Sequence, residues 1–167
     1  MKGGRTRLTG FPAMGAALIL AGCTANPTAS LGPAQQALAF INEERAGAGC
    51  EPLAEQKQLM AAASGYAHDM AEGNFYGHVG PDGSTLTSRV QAQGYRGGFL
   101  GENIAAGQTS ARQVVNAWMH SPGHRGNILN CQFNVTGIAM VRQGNDQPIM
   151  GNPVPFYTYW VHDFGRE

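Results

Sequence analysis

From residue 33 onward the apolar positions first recur at helical spacing. Leu38 and Ile41 share one face, with Ala34 and Ala37 beside them. Pro33 suits the first helical position, where no N–H is needed, and Gly47 or Gly49 ends the run. "CEPL" then reads as a turn. The second stripe is the clearest: Leu59, Met60, Ala63, Tyr66, Ala67 and Met70 form one band that frays at Gly73-Asn74. His68 lies half a turn off that band and is expected in solvent. "NFYGHVGPDGSTL" is loop-like. Ser84 or Thr85 caps a short helix through Gln93, ended by Gly94. "GFLGENIAAG" is either a short extended segment or a loop. Ser110 caps another helix that turns Val114, Val115, Trp118 and Met119 inward, and Pro122-Gly123 ends it. The texture then changes. "QFNVTGIAMVR" and "PFYTYWVHDFG" are rich in β-branched and aromatic residues and predict two strands buried on both faces, joined by the turn-rich stretch 143–154. Helices first and strands later predict an α+β fold, with helices covering a small, mostly antiparallel sheet.

Composition adds compartment and excludes one partner class. The chain has 167 residues, enough for one ordinary domain, with 43% hydrophobic and only 13% charged side chains. Eleven basic residues balance 11 acidic ones. No basic stripe stands out, so nucleic acid is not an expected partner. Lys2, Arg5 and Arg7 precede a short apolar run that ends in Leu20-Ala21-Gly22-Cys23. A basic start, an apolar stretch too short to span a bilayer and small residues before a cysteine predict a lipoprotein signal over 1–22. On that reading Cys23 is acylated, and each buried methylene of its chains is stabilised by roughly 0.8 kcal/mol. Residues 23–32 tether the lipid to a domain over 33–167. The protein is then exported and membrane-anchored. Removing the three basic residues leaves eight against 11 acidic, a net of −3. Cys50 and Cys131 remain, and an exported chain with two cysteines is expected to pair them. The long loop so closed is worth roughly 4–5 kcal/mol by chain entropy.

"NFYGHVGPDGSTL", "GENIAAG", "VVNAWMHSPGHRGNILN" and "YWVHDFG", in this order, resemble bacterial members of the CAP superfamily, which joins cysteine-rich secretory, antigen 5 and pathogenesis-related 1 proteins. The resemblance covers about residues 33–165. It implies a three-layer α-β-α sandwich, export, a cleft on one side, and the Cys50–Cys131 disulfide of many bacterial members. Family members often carry two His and two Glu in the cleft, and some hold zinc or another divalent ion there. His78 matches the first His and Glu102 the first Glu. Ser121 stands at the position of the second Glu and Tyr159 at that of the second His, so two of the four positions are changed. An absent Asp after Cys23, where Thr24 stands, fits the outer membrane of a two-membrane cell.

His78, Glu102, Ser121, His124 and Tyr159 are therefore the candidate cleft residues. His78, Glu102 and His124 would offer the three protein ligands that a catalytic zinc site needs beside its open position. His162, an odd number of residues after Tyr159, points to the other sheet face. The alternative is structural: His78 and Glu102 hydrogen-bond each other, Asn103 satisfies a neighbouring loop, and "GHRGNIL" is a clasp. Ser84, Ser88 and Ser121 are available hydroxyls, but no G-x-S-x-G elbow and no spacing that forces a nucleophile beside a base is present. Three functions follow. The first is a binding module for a small apolar ligand, an envelope component or a protein partner, through the cleft or a flanking groove, as lipid binding in eukaryotic relatives implies. The second is a metal-assisted hydrolase using His78 and Glu102. The third is a purely structural envelope lipoprotein.

The lipoprotein reading has a direct test. Cys23→Ala is expected to release the protein from the membrane fraction and to abolish incorporation of labelled fatty acid. Membrane retention unchanged by the substitution would refute it.

Overall fold

The computed structural model describes residues 31–149 and 151–167, together with Met1 and Gly3. The expected signal segment, Cys23 and all but the last two residues of the tether lie outside the described residues. The elements run α1 (Pro33–Gly47), β1 (Ala54–Glu55), α2 (Lys57–Glu72), α3 (Leu86–Ala92), β2 (Leu100–Ala106), α4 (Ala111–His120), α5 (Pro122–Ile128), β3 (Val135–Arg142) and β4 (Thr158–Gly165). The strands form one sheet in the order β1-β3-β4-β2, antiparallel except for the two-residue parallel contact of β1 with β3.

The sheet is the middle of three layers. Ile138, Trp160 and Phe164 pack with Ala37 and Ile41 of α1, Val114 and Trp118 of α4 and Ile128 of α5. On the opposite face Ile104, Ala139, Tyr159 and Val161 meet Ala63, Tyr66, Ala67 and Met70 of α2. Val90 of α3 joins Leu59, Ala62 and Val135 in a third apolar group. Alternation along β4 sends Trp160, His162 and Phe164 one way and Tyr159 and Val161 the other, as the period of two requires. The ring centroid of His162 lies 3.7 Å from that of Phe164 and 5.5 Å from that of Trp118. Neither ring nitrogen has a partner. Burial, and then the charge of Arg45, hold its pKa well below the usual histidine range, so the ring is neutral.

Several expectations need correction. Pro122 does not only mark the end of a helix; it opens α5. The chain breaks at Ser121, whose backbone is extended, and Pro122 then occupies the first turn of a new helix, where a missing N–H costs nothing. The same rule applies to Pro33 in α1. The segment "CEPL" leads into β1, a strand too short for any periodic signal. "GENIAA" is strand, not loop: it supplies most of edge strand β2. β4 is buried along its whole length, but β3 loses cover from Met140 to Arg142.

Cys50 and Cys131 are joined by a disulfide. Beside it Arg45 of α1 is fully buried and donates to four carbonyls: Glu51 at 3.0 Å, Ile128 at 2.8 Å, Asn130 at 3.0 Å and Phe133 at 2.9 Å. A helix C-terminus ends in carbonyls without intrahelical partners, and Arg45 fills that need for α5. Desolvation lowers its pKa from the ordinary arginine value.

Helix α2 lies so close to the sheet that β3 needs glycine at 137. A Cβ there would overlap the backbone of Leu59 and Met60. Gly137→Ala is therefore expected to lower the unfolding free energy by about 3 kcal/mol, by analogy with overpacked cores. Chemical denaturation checks this; a loss below about 0.5 kcal/mol, the range of ordinary surface changes, would contradict it.

Candidate functional site

The polar site begins where α2 stops. Asn74 takes a left-handed backbone (φ 51°), and the chain doubles back through a turn in which Asp82 Oδ1 accepts from the Ser84 N–H. Thr85 and Ser88 then form a reciprocal capping box that opens α3. This helix brings Arg89 inward. Its guanidinium lies 3.3 Å from the Tyr66 ring centroid and donates to Glu102 Oε2 at 2.6 Å. It also donates to the carbonyls of His78 at 3.2 Å and Ser84 at 3.3 Å. Glu102 Oε1 meets His78 Nδ1 at 2.7 Å. The Glu102 side chain is 4% exposed and that of His78 is 54% exposed. The Glu102 carboxyl oxygen engages the imidazole through Nδ1. The free nitrogen is Nε2.

A second buried carboxyl lies under the first. Asp163 pairs with Glu102 across β4 and β2 and is fully buried. Burial first, and the charge of Glu102 second, push its pKa well above the usual carboxylate range. Asp163 is therefore a neutral acid, and the cluster of Arg89, Glu102 and Asp163 has no net charge.

The other sequence candidates take different places. Asn103 Nδ2 donates to the His124 carbonyl at 3.1 Å. Asn127 Nδ2 bridges to Asn103 Oδ1 at 2.8 Å and to the Glu102 carbonyl at 3.2 Å. The clasp from α5 to β2 thus runs through asparagines and the backbone of His124, not through its imidazole. Burial, and then the charge of His78, lower the His124 pKa. Ser121 is the joint between α4 and α5: its N–H donates to the Trp118 carbonyl and its carbonyl accepts from Arg125. Tyr159 is not open to a cleft. It is fully buried, and its hydroxyl meets Asp146 at 3.0 Å. Asp146 Oδ2 also accepts the N–H groups of Phe156 and Tyr157, both at 2.8 Å. The connection before β4 therefore covers Tyr159 and leaves His78 open. Arg89, Asp163 and Asn127 escaped the sequence reading. For Arg89 a signal existed, since it sits beside Val90 on the inward side of a capped helix.

The donors do not fit a metal ion. Both Glu102 oxygens are engaged, one by His78 and one by the Arg89 cation. Among the described residues no three His, Cys, Asp or Glu side chains converge to hold an ion. A zinc centre needs three protein ligands. The zinc site considered from His78, Glu102 and His124 is thus not assembled, and no reaction step is derived through it.

On the opposite face of the sheet, α1 and α4 diverge around a groove of about 600 Å³. Phe40, Val115 and Met119 line its apolar part, and Glu43, Arg112 and Arg125 its rim. The Arg112 guanidinium lies 4.1 Å from the Phe40 ring centroid. None of the polar-cluster residues lines this groove.

Comparison with known proteins matches this architecture. The model of the cysteine-rich secretory protein family, CAP, matches residues 38–164. The protein YkwD of Bacillus subtilis (strain 168) is 33% identical over 122 residues, which is 73% of this chain and 48% of YkwD. The chain thus spans about half the length of that relative. A solved extracellular protein containing an SCP domain, from Bacillus anthracis, superposes with a TM-score of 0.68 at 27% identity, over 81% of this chain and 40% of that one. An outer surface protein from Borrelia burgdorferi gives 0.66 at 23% identity, over 78% of this chain and 89% of its own.

The matched region includes Asp163, whose protonation has a measurable sign. Its folded pKa is raised, so its contribution to stability is complete below the unfolded value near 4 and is lost as pH rises toward the folded value. Asp163→Asn keeps a neutral side chain and removes that loss. The difference in unfolding free energy between the variant and the wild type is expected to grow in the variant's favour from pH 4 upward. A difference independent of pH would refute the neutral acid.

Proposed function

The chain belongs to the cysteine-rich secretory protein (CAP) family, and from that premise we propose an exported, lipid-anchored binding module that holds the apolar part of an amphiphile between α1 and α4. The observation that carries the reading is the groove itself. Its volume of about 600 Å³ lies within the usual range for small-molecule sites, with Phe40, Val115 and Met119 on the apolar side. Arg112 and Arg125 at the rim can meet a negatively charged head group, while Glu43 and Glu44 bias the other end toward a donor. A domain tethered at the membrane through Cys23 would meet such amphiphiles where it is anchored.

The His78 cluster supports a second contact rather than catalysis. An imidazole fixed by a buried carboxylate presents Nε2 in one orientation toward a partner. No hydroxyl or thiol is hydrogen-bonded to it as a nucleophile among the described residues. Metal-assisted hydrolysis draws no support from this donor set, and a purely structural role leaves the groove without a use.

The test is titration of the purified protein with a fluorescent sixteen-carbon fatty acid. Saturable binding is expected. His78→Ala should leave affinity within about twofold, because the groove is on the other face. Phe40→Ala should weaken it about tenfold, near 1.4 kcal/mol. Absence of saturable binding, or loss of binding in His78→Ala with Phe40→Ala unaffected, would overturn the assignment.

A further inference from the structure

The direction of α1 fixes where the chain from Cys23 meets the domain. Arg45, near the end of α1, donates to the carbonyls of Ile128, Asn130 and Phe133, just ahead of β3, and to that of Glu51. β3 begins opposite the end of β4, with Val135 paired to Gly165. The C-terminus of α1 therefore lies at that end of the sheet. The 15 residues of α1 carry it about 22 Å the other way, with Ala37 and Ile41 packed on Ile138 and Trp160. On its outer side Phe40 carries the guanidinium of Arg112, from the first turn of α4. Thr109, just before α4, accepts from Arg142 at the end of β3, and Arg142 pairs with Thr158 at the start of β4. Pro33 and Tyr157 thus lie at one end of the sandwich, and Glu51 lies at the other.

The Pro33 end shows apolar side chains to the outside. Val154 is 62% exposed, Tyr157 48%, and Leu31, at the entry to α1, 41%. Tyr157 has a left-handed backbone (φ 61°), which bulky residues rarely adopt. Asp146 Oδ2 imposes it by accepting the N–H groups of Phe156 and Tyr157, and the Tyr157 carbonyl accepts from the Gln143 N–H at 3.0 Å. Successive rings are thereby turned apart. Phe156 packs against Tyr76 and Tyr159, while Tyr157 stands outward. Residues 31–42, 103–111 and 151–158 contain no charged side chain. The charges that border them are Arg112, Arg142 and, on the α2 side of Arg142, Glu72, which faces His68 at 3.7 Å.

We propose, resting on the lipid anchor at Cys23 and not on the α1–α4 groove, that the end of the sandwich bearing Val154 and Tyr157 is a membrane-contact surface. It seats on the bilayer that holds the acylated cysteine. Ten residues lead from Cys23 to Pro33, a reach of at most about 35 Å. The chain enters at the Tyr157 end, so this end meets the bilayer first. To seat the Glu51 end, the tether would have to run back along the domain by about 26 Å, the length of β4. Val154 enters the interface, and Tyr157 lies at head-group level, where an aromatic ring with a polar tip is favoured. Arg112 and Arg142 outnumber Glu72 at the border, which favours anionic lipid.

The test uses the full-length acylated protein in vesicles of phosphatidylcholine and phosphatidylglycerol in equal parts, with or without bromine on the acyl chains. Trp118 and Trp160 are fully buried and supply a constant background. Val154→Trp should lose about half or more of its added emission to the brominated chains, and Glu51→Trp less than about a tenth. Tyr157→Asn suits the left-handed backbone, which asparagine tolerates, and should cut the quenching of Val154→Trp by about half. An intact mass without acyl chains on Cys23 would remove the anchor and the proposal with it. An acylated protein in which Val154→Trp is unquenched, Glu51→Trp is quenched as strongly, or Tyr157→Asn changes nothing would leave the anchor standing and overturn the contact surface.

Discussion

A buried guanidinium without a carboxylate partner organises this molecule. Arg45 places a full charge inside the protein, and no acid lies within ion-pair distance among the described residues. Such a group is tolerated only if dipoles replace water on its donors. Four carbonyls do so, three of them from the segment that ends α5 and leads into β3. The disulfide closes the same corner from the other side. Once α5 is fixed, Asn127 is fixed, and with it the backbone of Glu102. The orientation of His78 thus depends on an arginine in the first helix, through a succession of hydrogen bonds in which each group has one geometry to satisfy.

Electrostatics set the geometry of the polar cluster. Arg89 pairs with Glu102, while burial, and then the charge of Glu102, push the pKa of Asp163 well above the usual carboxylate range. Each Glu102 oxygen has a partner, and His78 is the exposed member of the cluster. The apolar volume lies on the opposite face of the sheet. A sandwich makes this division natural, because residues adjacent on one strand serve different layers. Glu102 and Asn103 are neighbours in sequence, yet one faces His78 and the other holds α5.

The helices with a long apolar stripe were legible from periodicity alone: α1 begins at Pro33 and ends at Gly47, α2 ends beside Gly73, and α4 begins after Ser110. Alternation also separated Tyr159 from His162. It could not say whether either side was wet, and both are buried because helices cover the two faces. α5 was missed because proline stops one helix and starts another by the same missing N–H, and the sequence alone does not say which. β2 was ambiguous because Gly, Glu, Asn and Ala are poor strand formers, held here by pairing with the aromatic β4. Arg45, Arg89 and Asp163 were invisible for a different reason. Charged residues are read as surface, and their burial depends on partners far away in sequence. The left-handed backbone of Tyr157, fixed by Asp146, belongs with them.

The carbonyl oxygen of Ile104 is a shared datum for both outer layers. Tyr76, two residues before His78, and Trp118, in the helix that walls the α1–α4 groove, both donate to this one atom. A displacement of the Ile104 carbonyl would reach both side chains at once. One edge-strand carbonyl thus ties the loop that carries His78 to the helix on the other face of the sheet.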